Sequence, residues 1–149
     1  MEERLGYCKI LFRSMSKEIK EKTTRVGLIF GDQLWEDNPL IDQVDKVIMV
    51  EDMGLASRLS YHKFKLTYLY TIMRNYMSYL KDKGLEVEYY SLADNVEFGD
   101  VLGRHGDVQI HYVRPHDKPF VQYISKLLKD CDIVMHESRG FVTTGEQFE

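Results

Sequence analysis

Arg25-Val-Gly-Leu-Ile-Phe-Gly-Asp-Gln-Leu34 is an apolar run cut off abruptly by Gly31-Asp32. Five apolar residues in a row are too few for a helix. Their lack of polar alternation is what a strand shows when both of its faces are buried, as in a parallel sheet. Lys46-Val-Ile-Met-Val50 repeats the pattern and is closed by Glu51-Asp52. Between the two runs, Trp35, Asn38 and Pro39 mark a loop.

Working outward, Leu66, Leu69, Tyr70, Met73, Tyr76, Met77 and Leu80 recur at helical spacing, which predicts a helix from His62 to Lys81. Gly84 stands where a left-handed cap would end it. Strands are then expected at 85–92, 107–113 and 132–136, separated by helices at 96–104 and 118–129. Strands separated by helices, without hairpin turns, specify right-handed βαβ units. The expected fold class is therefore α/β, a five-stranded parallel sheet with helices on both faces. Upstream, Leu5, Cys8, Phe12, Met15 and Ile19 follow steps of three and four. This predicts an extra amphipathic helix over residues 1–22, ahead of a domain spanning 23–149.

A length of 149 residues suits one core. With 44% hydrophobic and 30% charged residues, the composition is that of a globular chain rather than a disordered one. A net charge of -4 argues against a surface built to neutralise phosphates, so no direct nucleic-acid contact is expected. Cys8 and Cys131 are too few and too far apart for a zinc ribbon or an iron-sulfur cluster, and no metal is expected. No apolar run approaches the roughly 20 residues that span a bilayer, and residues 1–22 lack a signal-peptide core. A cytoplasmic protein without membrane contact is the expectation.

In an open parallel sheet, ligands collect beyond the carboxyl ends of the strands, where strand order reverses. That selects the loops beginning at Gly31, Glu51, Arg114 and Glu137. Gly31 permits close backbone approach, and Asp32 and Gln33 offer acceptors and donors to a ribose-like or heterocyclic partner. The same residues also suit a plain strand-ending turn. His62 and Lys63, at the start of the long helix, could hold an anionic or polar ring edge; equally, His62 could cap the helix and Lys63 be solvated. Aromatics crowd this helix, the usual mark of core or interface. No GxGxxG or P-loop motif occurs, and no catalytic triad or zinc helix is visible.

Four motifs in order, Leu28-Ile-Phe-Gly-Asp-Gln-Leu34, Val50-Glu-Asp-Met53 with Ala56-Ser57, Tyr61-His-Lys-Phe-Lys65 and Ile72-Met-Arg-Asn-Tyr76, together with Glu137-Ser-Arg-Gly-Phe-Val142 and Glu146-Gln-Phe148, carry a resemblance. They resemble the N-terminal antenna domain of the deoxyribodipyrimidine photolyase-related proteins, the iron-sulfur branch of the cryptochrome and photolyase superfamily. The resemblance covers about residues 25 to 149 and implies a Rossmann-like fold. It also implies an antenna chromophore, 6,7-dimethyl-8-ribityllumazine or a flavin, contacted by Gly31, Asp32, Gln33, Leu34, Glu51, His62 and Lys63. The helical flavin domain of that family, with its cluster-binding cysteines, has no counterpart in this sequence. DNA photorepair by this chain alone is thus not expected, and residues 141–149 read as a segment leading out of the domain. Alternatives are a nucleotide-binding α/β enzyme, or an interaction subunit for a separate helical photolyase-like chain. The N-terminal helix is a further candidate for packing on the sheet or for homodimer formation.

Overall fold

The computed structural model describes residues 23–58 and 60–140. The helix expected over 1–22 lies outside them. In chain order the elements are β1 (Arg25–Leu28), β2 (Lys46–Val50), α1 (Met53–Ser57), α2 (Lys63–Asp82), β3 (Glu86–Tyr90), a 3-10 turn (Leu92–Asp94), α3 (Phe98–Leu102), β4 (Gln109–Val113), α4 (Lys118–Leu127) and β5 (Asp132–His136). Every pairing is parallel, and the strand order is β3-β2-β1-β4-β5. This is the α/β Rossmann-like architecture that the alternating pattern specified.

Strand periodicity sends successive residues to opposite faces, so two cores result. Val26, Leu28 and Phe30 join Ile48, Val50, Ile110 and Tyr112 under α3 and α4, which contribute Phe98, Val101, Leu102 and Ile124. Ile29, Val47, Met49 and Val113 face the other way, toward Tyr70, Met73, Tyr76 and Leu80 of α2 and Leu40 and Val44 of the first loop. Helices thus cover both faces. Burying each such aliphatic or aromatic side chain contributes about 1.5–3 kcal/mol. At Gly27 a Cβ would stand 3.1 Å from a Val44 methyl, so the first loop packs closely on β1.

At the start of α2, His62 is the N-cap, and its Nδ1 accepts from the Phe64 amide at 3.2 Å. At its end, Gly84 takes φ +85° and donates its amide to Lys81, while the Leu85 amide reaches Leu80. A Cβ at Gly84 meets open space, so the backbone angle alone determines what a substitution costs there. Gly84→Ala is expected to lower stability by about 1 kcal/mol, read as an earlier urea midpoint with unchanged slope. An unchanged midpoint would contradict the left-handed cap.

The short α1 and the 3-10 turn, unforeseen from periodicity, fall at the carboxyl ends of β2 and β3. Among the described residues, no helix is long and apolar enough to cross a membrane.

Candidate functional site

Asp52 follows the last residue pair of β2 and is nearly fully buried. One carboxylate oxygen accepts from the Leu55 amide at 2.8 Å, starting α1. The other accepts from the Phe98 amide at 2.8 Å, and the Tyr123 hydroxyl of α4 lies 3.4 Å away. A single side chain therefore fixes α1, α3 and α4 around the strand ends. Burial, followed by the charges of Asp52 and Glu97, raises the Tyr123 hydroxyl well above its ordinary value.

Between these elements lies a cavity of about 450 Å³. Phe30, Phe98 and Phe120 form one aromatic wall, with ring centroids 5.4 and 4.9 Å from Phe30 in edge-to-face geometry. Leu66, Leu69, Tyr70 and Met73 of α2 form the opposing wall, and Leu55 and Ala56 of α1 close a side. Polar groups are few: Asp32, Asp52, Arg58, Tyr61, Lys65 and Asp117. Arg58 and Asp117 approach to 3.5 Å from different elements, and the Lys65 ammonium sits 4.7 Å over the Tyr61 ring. Asp32 is exposed as a residue and lines the cavity. Burial pushes its carboxyl up, against a backbone hydrogen bond and the charge of His116.

The residues expected from the sequence fall into three places. Gly31 and Asp32 line the cavity. Gln33 is buried and holds the β1 loop against β4, donating Nε2 to the Val113 carbonyl at 3.0 Å while its backbone carbonyl accepts from Asn38 Nδ2 at 2.9 Å. Leu34 packs against the α2-side core. Glu51, also buried, accepts from Arg74 Nε and Nη2 at 2.7 and 2.9 Å, the Tyr89 hydroxyl at 2.5 Å and the Leu92 amide at 2.9 Å. Burial alone would raise its carboxyl; Arg74, Tyr89 and Leu92 together outweigh burial and hold it below the usual range. His62 and Lys63 are exposed and absent from the lining, with Lys63 over the Phe64 ring at 5.5 Å.

Asp52, Arg58, Tyr61, Lys65 and Phe120 were not singled out from the sequence. A signal existed for part of this set. Lys65 lies four residues before Leu69, so it shares the helical face of Leu66, Leu69, Tyr70 and Met73 that lines the cavity, whereas spacing alone would put His62, four before Leu66, on that face too; only its extended N-cap backbone takes it out of the helix. The cavity sits beyond the strand ends next to the reversal between β1 and β4, where such sheets hold ligands.

Fold and site together define an α/β domain with a largely apolar crevice at the carboxyl edge of a parallel sheet. Comparison with known proteins places it further: the family model of the deoxyribodipyrimidine photo-lyase-related proteins matches residues 27–149, and the chain belongs to that family. It is similar to a (6-4) photolyase of Agrobacterium fabrum, 32% identical over 84 residues, which cover 54% of this chain and 17% of that protein. It is also similar to an uncharacterized protein of Acanthamoeba polyphaga mimivirus, 29% identical over 130 residues, covering 80% of this chain and 66% of the viral protein. The chain thus spans less than a fifth of the photolyase and about two thirds of the viral protein in these matches.

Proposed function

We propose that this chain binds a heterocyclic chromophore of the antenna type, a ribityl lumazine or a flavin-like molecule, in the crevice between α1, α2 and α4. The observation that carries this reading is the cavity itself, about 450 Å³, mostly apolar and walled by aromatic rings, with a few polar groups at one side. Such a volume is within the range of small-molecule sites. A flat ring system fits between Phe30, Phe98 and Phe120 on one side and the α2 side chains on the other. Asp32, Arg58 and Lys65 supply hydrogen bonds to ring-edge atoms or a hydroxylated chain. When bound, the chromophore would supply light absorption; the protein residues hold it, orient it and exclude water.

Membership of the photolyase-related family supports a role in light-dependent chemistry, with flavin and DNA handled by a helical part of the same or a separate chain. Exposed Phe64 and Tyr68, at 70% and 68% and one turn apart on α2, favour docking of such a part beside the cavity.

Titration with 6,7-dimethyl-8-ribityllumazine and with riboflavin, followed by fluorescence and melting temperature, tests the reading. Asp32→Ala and Lys65→Ala are each expected to weaken binding about tenfold, the loss of one hydrogen bond to a charged group. Lys63→Ala, outside the lining, should leave affinity unchanged. If neither ligand alters fluorescence or melting, the chromophore reading is wrong.

A further inference from the structure

Among the described residues, β5 is the outer strand of the sheet on the β4 side. Its sequence, Asp-Ile-Val-Met-His, has no proline and no lysine, the residues that commonly blunt an exposed edge. Ile133 and Met135 are 43% and 48% exposed, unusual for large apolar side chains on a sheet face. The Arg114 amide donates to the His136 carbonyl, and Val113 is in register with His136. Asp132, Val134 and His136 therefore direct their backbone groups toward β4, while Ile133 and Met135 direct theirs outward.

We infer that β5 pairs with β5 of a second copy of this chain, antiparallel about a two-fold axis at Val134. This register is self-complementary at every position. Ile133 lies opposite the second copy's Met135 as a hydrogen-bonded pair, so both outward residues exchange backbone bonds twice over. Their side chains form one apolar cluster of four on the α4 side. On the other side, Val134 meets its own copy, and Asp132, which accepts from Gln109, lies opposite His136, whose Nε2 bonds His111, so no like charges oppose one another. An isologous contact of this kind joins two sheets into one of ten strands. The opposite edge is unsuited to it. The same arrangement at β3 would set Glu88 against its own copy, and like charges directly opposed destabilise a pair.

Two short strands bury less than a standard interface, so the dimer is expected to dissociate measurably in the micromolar range. Sedimentation of the full chain over a concentration series should show monomer and dimer in exchange. Met135→Pro removes an outward amide and leaves the β4 ladder intact, so it should abolish the dimer with little change in melting temperature. Ile133→Lys should do the same by placing charge in the apolar cluster. With Cys8 and Cys131 replaced by serine, Val134→Cys should form a disulfide-linked dimer on mild oxidation, since non-hydrogen-bonded partners approach to about 4.5 Å. Ile133→Cys, which does not face itself, should not. A chain that stays monomeric, a dimer that survives Met135→Pro, or cross-linking through Ile133→Cys instead of Val134→Cys would each overturn the inference. So would slow exchange of the Ile133 and Met135 amides in a monomer, which would mean that the chain covers its own edge.

Discussion

Arg74→Met is expected to destabilise the fold by about 3 kcal/mol at neutral pH, because it leaves the Glu51 carboxylate buried without its counter-ion. The cost comes from Glu51, whose side chain has no solvent exposure; Arg74 is itself 55% exposed, which is why the low end of the usual range applies. Tyr89 and the Leu92 amide remain as partners, and they do not neutralise charge. The pH dependence gives a second reading of the same experiment. In the wild type, the Glu51 carboxyl is held below its unfolded value, so its stabilisation is present above the unfolded carboxyl range and lost as pH falls. Without Arg74, burial is opposed only by Tyr89 and the Leu92 amide, so the carboxyl is expected to rise from its wild-type position. The penalty is then present at neutral pH and relieved in acid as Glu51 takes up a proton. Urea unfolding of both proteins across the acidic range should show the gap between them closing as pH falls. A loss below about 1 kcal/mol at neutral pH would mean that the pair behaves as a surface contact.

Ala56→Trp is expected to reduce chromophore affinity by more than about 100-fold, equivalent to roughly 2.7 kcal/mol, by placing an indole in the space a ligand ring would use. Ala56 is on α1 and lines the cavity, whereas its neighbour Ser57 is exposed and outside the lining. Ser57→Trp therefore serves as the control: it adds the same ring without occupying the crevice. Calorimetric titration of both variants checks the expectation. Equal affinity in the two would remove the cavity as the binding site even if the protein does bind a chromophore.

The sheet was legible in the sequence because β1 and β2 are short apolar runs bounded by polar turns, and the later strands are set apart from them by helical segments. The segments Lys46–Val50 and Asp132–His136 were bounded to the residue. Helix α2 was legible from its periodicity and from Gly84. α1 was not, since five residues complete little more than one turn and show no period; only the Asp52 cap marks its start. The strand order could not be read from local pattern, because it depends on which strand pairs with which across the chain. Of the four loops the strand-end rule selects, those after β1, β2 and β4 border the cavity and the one at Glu137 does not, and loop membership does not say which way a side chain points. Adjacent residues diverge on that account: Asp32 faces the cavity while Gln33 turns inward to Val113, and Asp52 lines the cavity while Glu51 turns to Arg74.

The walls of the crevice differ in how firmly they are built. The aromatic wall and α2 belong to the two cores, and moving them would open the sheet. α1 contains no fully buried residue and is anchored at its start by one carboxylate, so its fraying gives up only the partial packing of Leu55 and Ala56 against the cores. Entry and exit of a bound molecule can thus be governed by a local opening of one helical turn, at a rate set independently of the folding stability of the domain.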